Sequence, residues 1–342
     1  MTRWQNGIHL DSGEKITFGD STEQATAAYT QIETNYLLGR RNILINGAFD
    51  RWSRDTSQTT SEDGYYSVDR WYRNANGQGV GTSLEQQTFS YGQTDVPGHP
   101  QYYAHLDTVT LDTQSTHYHT FGQRIIDVWR YSGDTLTLSF YAKAGSSCNI
   151  ATEFTQDFGT GSTDSAVNTI GVQTHSLTTS WQLFTKTVTL PSISGKDIQD
   201  DNFLELIFWI SAGSDFNSRT NSLGNQSVDI YLANVQLERG SNNTDFEVLP
   251  PKEIESLCNQ YYEISVLTYY GYRTSSNSTY RDWYVQFLDR KRSTNYTMTF
   301  RSGGSCTPTA HDKALRGVRL NYDAGDTTSS HYITGYEIEN EL

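Results

Sequence analysis

Two clusters of side chains carry most of the chemistry this sequence offers. The first is aromatic: Tyr269-Tyr270-Gly271-Tyr272-Arg273, then a polar stretch at 275–279, then Tyr280-Arg281-Asp282-Trp283. A pyranose face stacks on a flat ring while its hydroxyls bond to polar neighbours, so rings set beside Arg, Ser and Asn suit sugar recognition. Tyr269, Tyr270, Tyr272, Arg273, Tyr280, Arg281 and Trp283 are therefore the candidate ligand-binding residues. The same rings would equally well fill a small core or a subunit seam. The second cluster is His117-Tyr118-His119. In a strand both imidazoles point to one face, and three copies around an axis would offer six nitrogens to a transition metal. Two polar surface histidines are the simpler expectation, and neither a metal nor another cofactor is expected.

Catalytic chemistry is not indicated. Glycosidic hydrolysis needs two carboxylates across a cleft, one of them held protonated by burial. Here Asp200-Asp201 and the acidic run at 337–341 read as solvated charge. Neither a Gly-x-Ser-x-Gly elbow nor a phosphate loop is present, so the protein is expected not to be an enzyme. Cys148, Cys258 and Cys306 are odd in number and widely spaced, which is neither a disulfide framework nor a zinc pattern. They read as free thiols of a chain that folds in a reducing cytoplasm, with Cys258 a buried packing group.

The elements that would position these residues are strands. The chain has 342 residues, room for two domains. Its 25 basic against 39 acidic residues give a net charge of −14, which argues against nucleic acid or an anionic membrane as partner. Twenty-three Tyr and seven Trp, with only six Pro and two Met, make an all-β composition. The first residues lack the apolar segment of a signal peptide, and no run approaches a membrane span.

Alternation places strands at Thr135–Ala142, Trp181–Leu190, Leu204–Ile210 and Val228–Leu237. A further strand is expected at Ile43–Ile45, with both isoleucines on one face, ending at the Asn46-Gly47 turn. Residues 1–41 are too polar for a core of their own; they suggest short extended pieces around Ile16–Phe18 and a helix over Ala25–Leu38. Leu249-Pro250-Pro251 closes the main body, and Pro251 can open a short helix over 249–258. Residues 259–342 then read as a smaller sandwich, with strands at Trp283–Leu288, Thr294–Phe300, Gly317–Tyr322 and His331–Ile338. In Asp69-Arg70-Trp71 the guanidinium is placed to bridge the carboxylate and lie over the indole.

Several phrases resemble, in order, the jelly-roll module of bacteriophage tail-fibre and receptor-binding proteins and related carbohydrate-binding domains. Asn42 to Trp52 resembles its N-x-x-x-N-G-x-F-x-x-W opening, and Asp69-Arg70-Trp71 its D-R-W. Ser90 to Gly98 looks like its early loop, Gln123 to Val128 its Q-R-I-E-x-V with Ile126 in place of the acid, and Gly133 to Lys143 its G-x-x-x-T-L-S-F-x-A-K strand. Leu177 to Trp181, Leu190 to Lys196 and Asn234 to Glu247 match the segments that follow. Ile16 to Ala27 is similar to a fibre-shaft phrase, Cys258 to Glu263 to C-x-R-Y-Y-E, and Tyr332 to Leu342 to the family's ending.

The resemblance implies an all-β chain: a jelly-roll β-sandwich over 42–248, a smaller C-terminal β-sandwich tip over 259–342, and an extended N-terminal attachment segment over 1–41. It further implies a homotrimer in the phage tail of the virion, made in the host bacterial cytoplasm, that contacts another virion protein through 1–41. Its mechanism would be non-catalytic adhesion to host surface polysaccharide or lipopolysaccharide. Trp52, Trp71, Phe140, Trp181, Phe208 and Phe246 match framework positions and are expected in the core. Modules of this kind often hold a structural calcium, for which Asp50 and Asp229 are the candidates. Two other readings stay open: a purely structural head-decoration or baseplate protein, and a glycan-degrading tailspike.

Overall fold

A computed structural model describes residues 16–17, 23–24, 40–59, 63–77, 82–108, 114–161, 163, 165–265, 269–271, 280–300, 309–323, 331–333 and 335–341. The chain divides into two units, Met1–Arg41 and Asn42–Leu342. In the first, β1 (Ile16–Thr17) and β2 (Glu23–Gln24) pair antiparallel. The helix expected at Ala25–Leu38 lies outside the described residues.

The second unit begins with the strands β3 (Ser57–Gln58), β4 (Tyr72–Asn76), β5 (Ser83–Thr88), β6 (Tyr102–Thr108), β7 (Tyr118–Ile126), β8 (Thr135–Ala144), β9 (Cys148–Asp157), β10 (Asn168–Leu177), β11 (Gln182–Thr189) and β12 (Phe203–Ala212). The short helix α1 (Asn217–Thr220) and the long strand β13 (Val228–Arg239) complete this body. They form two antiparallel sheets, β10-β9-β12-β7-β4 and β11-β8-β13-β6-β5-β3. The chain passes between the sheets at nearly every connection from β6 onward, which makes the body a jelly-roll sandwich.

Alternation explains the core. Leu136, Leu138 and Phe140 of β8 and Ile230 and Leu232 of β13 point inward, toward Leu204, Leu206, Phe208 and Ile210 of β12, and none is exposed. The other face of β12 is also covered: Ile207, Trp209 and Ala212 pack with Ala151, Phe216 and Leu223, on the segment around α1. That is why β12 reads as apolar on both faces.

Three sequence expectations are corrected here. Residues 42–50 are bends and turns, with Leu44 and Ile45 both buried instead of alternating. The segment bonds across an irregularity in β13, Ile43 N–H to the Leu237 carbonyl at 2.8 Å and Val235 N–H to the Gly47 carbonyl at 2.9 Å. Asn46 turns the chain at φ 59°, and a Cβ on Gly47 would stand 2.0 Å from the Val235 carbonyl oxygen. Such a path is incompatible with a regular strand. Second, Phe246 and Trp181 are only half-buried and lie outside the main core cluster. Third, His331–Ile338 is two strands, separated by Gly335 at φ 148°.

After the sandwich comes α2 (Pro251–Asn259), with Pro251 in its first turn. Ile254 and Cys258 pack on Ile45 and Tyr261. Burial drives the Cys258 thiol far above its usual range, which leaves it a packing group. The C-terminal part contains β14 (Tyr262–Ser265), β15 (Tyr269–Gly271), β16 (Tyr280–Gln286), β17 (Thr297–Phe300), β18 (Thr309–Ala314), β19 (Gly317–Asp323), β20 (His331–Ile333) and β21 (Tyr336–Glu339). The sheets β14-β21-β17 and β16-β19-β18 share a core of Val285, Phe287, Tyr296, Val318, Leu320, Tyr336 and Ile338, with β15-β20 as a separate pair.

The Asp69-Arg70 pair joins the two sandwiches, by a route different from the expected one. Asp69 accepts from Arg51 Nε at 2.8 Å and Ser53 Oγ at 2.6 Å. Arg70 instead lies over the Tyr261 ring at 3.5 Å and pairs with Glu341. Arg54 covers Tyr262 at 3.8 Å and binds Glu339 at 2.8 Å. The terminal acids are thus clamped by arginines of the main body, and the reading of 337–341 as solvated charge fails at Glu339 and Glu341. Trp71 is left to stack on Phe121 at 5.0 Å, its Nε1–H donating to the Asn46 carbonyl at 3.0 Å.

Candidate functional site

The six-stranded sheet buries one face and presents the other to solvent. Ala104 and Leu106 of β6 point inward, so Tyr103, His105 and Asp107 point outward. On β13 the outward set includes Asp229 and Tyr231, and on β8 Tyr141 and Lys143. Cross-strand register aligns them: Lys143, Tyr231, His105 and Glu85 form one row across β8, β13, β6 and β5. Beside it, Leu183, Tyr141 and Ala233 are aligned across β11, β8 and β13, and Tyr103 faces Gln87 across β6 and β5, while Asp229, Asp107 and Ser83 form a further row.

Trp181, just before β11, completes an aromatic platform with Phe89. Its ring stands edge-on to Tyr103 at 5.4 Å and tilted to Phe89 at 5.3 Å. Tyr103 meets Tyr231 at 6.1 Å, and Tyr231 stacks on His105 at 4.6 Å. The Lys143 ammonium lies 5.2 Å from the Trp181 centroid and 5.0 Å from that of Tyr231. The rings are half-buried, which fixes their orientation while leaving faces and edges to solvent.

The polar groups are concentrated toward one end. His105 Nε2 lies 3.2 Å from Asp229 and Nδ1 3.8 Å from Glu85. Asp107 and Asp229 sit directly opposite one another, an unfavourable like-charge pair. Burial first, and then Asp229, hold the Asp107 carboxyl above its ordinary range. Burial likewise raises the Tyr103 and Tyr231 phenols, so both remain protonated donors. The face therefore combines stacking rings with neutral hydroxyls, an ammonium and carboxylates, which is chemistry suited to a polyhydroxylated ligand. A 250 Å³ cleft lined by Ser139, Tyr141, Leu183 and Phe246 opens beside the platform, and one of 700 Å³ borders Phe89.

The residues chosen from sequence lie elsewhere. Tyr269 and Tyr270 are on β15, paired with Ile333 and Tyr332. Tyr280, Arg281 and Trp283 are on β16, opposite Asp323, Tyr322 and Leu320 of β19. Tyr272 and Arg273 lie outside the described residues. Sequence reasoning missed the platform although its signal was present: Tyr102-Tyr103-Ala104-His105-Leu106-Asp107 alternates, and its outward half is aromatic and polar.

The expected surface histidines are buried instead, His119 completely. His119 Nδ1 lies 2.6 Å from Thr108 Oγ1, and burial, then Arg73, push its pKa well below the usual value. Among the described residues no group of three or more His, Cys, Asp or Glu is arranged to hold a metal. Asp229 faces His105, and Asp50 lines a different cleft. The buried acids of the five-stranded sheet are each tied to arginine. Glu153 binds Arg219 and accepts from Trp209 Nε1 at 2.9 Å, and Glu205 binds Arg124 at 3.0 Å.

No family model matches the chain, and no curated protein matches it. Among solved structures the chain is similar to a CBM4 structure, with 23% identity over 57% of this chain and 98% of that one and a TM-score of 0.34. It is also similar to the enzymatically active domain of bacteriophage CBA120 tailspike protein 4, with 12% identity over 58% and 21% and a TM-score of 0.35. A third similarity is to the family 11 carbohydrate-binding module from Clostridium thermocellum, with 12% identity over 55% and 98% and a TM-score of 0.32. Similarities at this level assign nothing to the chain; its architecture rests on its own sheet order and register.

Proposed function

We propose that the protein is a non-catalytic adhesin that holds a host surface glycan on the outer face of its six-stranded sheet and serves in a phage virion as a tail fibre or receptor-binding protein. The observation that carries the glycan reading is the Trp181–Phe89–Tyr103–Tyr231 platform with Lys143, His105 and Asp229 set among its rings. The virion reading is supported by the ordered motifs that resemble tail-fibre modules. In this reading three copies assemble, residues 1–41 dock to another virion protein, and avidity from simultaneous attachment raises weak single-site affinity. The aromatic strands β15 and β16, carrying Tyr269, Tyr270, Tyr280, Arg281 and Trp283, would provide a second contact surface at the tip.

The non-catalytic part of the proposal is supported by the pairing of Glu153 and Glu205 with arginines, since neither is set as an acid opposite a base. The test is to incubate the full chain with a panel of purified bacterial surface polysaccharides and measure retention and new reducing ends together. Retention of one polysaccharide without new ends is the expected result, from a particle with the mass of a trimer. New reducing ends would establish a tailspike. Retention of none would leave the reading as a purely structural head-decoration or baseplate protein.

A further inference from the structure

Asn234 occupies the irregularity in β13, between Ala233 and Gln236, at φ 48°. Its Nδ2 donates to the Pro97 carbonyl at 3.0 Å, while its Oδ1 is buried without a partner. The residue is 3% exposed and lines two clefts at once. One is the 250 Å³ cleft over Tyr141 and Leu183, beside the aromatic platform. The other, of 620 Å³, lies between residues 42–51, the loop at 98–102 and the start of α2.

Gly98 and Phe246 are the other walls the two clefts share. Gly98 holds φ +80°, and a Cβ there would point between Val248, at 3.9 Å, and Asn234 Nδ2, at 4.0 Å. Gly98 therefore adds no side chain to the wall that the two clefts share. Phe246 offers a half-buried ring, and Asp50, Arg51, Glu247 and Lys252 place polar groups around the larger space. Its volume lies within the ~300–1,000 Å³ of sites that enclose a small ligand.

We infer that the glycan site is a continuous groove for a linear polysaccharide, running from the Trp181–Tyr231 platform past Tyr141 and Leu183, over Asn234, and into the cleft against α2. The sugar chain crosses at the wall formed by Gly98 and Phe246, where the half-buried Phe246 ring offers a stacking face. The ligand class is thus an internal stretch of several sugar units, in contrast to a single terminal sugar. This inference rests on the platform being the glycan face.

The test uses size-graded oligosaccharides, cut by mild acid from the polysaccharide the protein retains, titrated calorimetrically into the full chain. Affinity should rise about tenfold or more from disaccharide to octasaccharide. Val248 lines the larger cleft and is 69% exposed, so Val248→Trp fills the space at no cost to the core. That variant should unfold at the wild-type temperature and lose the gain with length, whereas Val248→Gln, which leaves the cleft open, should keep it. A length gain surviving in Val248→Trp, or absent from the wild type, overturns the groove and leaves the platform standing. No binding at any length overturns both.

Discussion

Replacing Lys291 by Met is expected to destabilise the C-terminal sandwich by about 3–5 kcal/mol, the usual result of leaving one member of a buried ion pair alone. Lys291 and Glu263 are both fully buried, with Nζ 2.5 Å from the carboxylate. The ammonium also donates to the Asn259 carbonyl at 2.5 Å, and so joins the end of α2 to the domain that follows. Glu263 accepts in addition from the Tyr336 hydroxyl at 2.9 Å and the Leu288 N–H at 3.2 Å. Burial lowers the Lys291 pKa and Glu263 restores part of it, as expected where a charge is desolvated and then paired. Without Lys291 the carboxylate keeps only neutral donors and no counter-charge. The double variant Lys291→Met with Glu263→Gln should regain much of the loss, because a neutral pair carries no stranded charge. Urea unfolding followed through the C-terminal sandwich measures both; a loss below about 1 kcal/mol in the single variant would contradict the assignment.

Acid should weaken the main body in a definite window. His175 is 3% exposed between Phe140 and Phe184, with Nε2 2.9 Å from Thr152 Oγ1. Burial, then the nearby Lys186, lower its pKa to about 4 from 6.5. The unfolded chain takes up a proton below 6.5 that the folded chain refuses until about 4. Stability is therefore full above 6.5 and falls as pH drops through this window, by about 3 kcal/mol at its lower end. His119, lowered in the same direction, adds to the loss. Lys186 acts in another range: its pKa is lowered to about 8, so the fold gains stability as pH rises from there toward 10.5. Buried carboxylates whose pKa is raised, such as Asp69 and Glu153, act in the opposite sense, so the measured quantity is the difference between wild type and His175→Gln. The variant should show a shallower loss between pH 6.5 and 4; parallel curves would contradict the burial argument.

Much of the jelly roll was legible because its inward residues alternate. Leu136-Leu138-Phe140 and Ile230-Leu232 fix two neighbouring strands, and the proline pair at 250–251 marks the body's end. The opening segment was misread because the path of 42–50 follows the irregularity in β13, a tertiary feature that its Ile-Leu-Ile pattern does not encode. β11 explains the error at Trp181. Its buried residues include Lys186 and Val188 while Leu183 is 45% exposed, so a cation points inward and a leucine outward. With that inversion, residue type gives the wrong face for Trp181, which shares Leu183's parity. Glu339 and Glu341 were read as solvated because their arginine partners are nearly three hundred residues earlier. Rings that pack and rings that bind have the same composition; only register across β8, β13 and β6 brings one set together.

The most direct test of the glycan face is calorimetric titration of wild type and Trp181→Ala with the shortest oligosaccharide the protein retains, with Trp283→Ala measured alongside. Loss of a central stacking ring should cost about 2 kcal/mol, or some thirtyfold in affinity, with thermal unfolding little changed because Trp181 lies outside the main core. Wild-type affinity in Trp181→Ala would contradict the account.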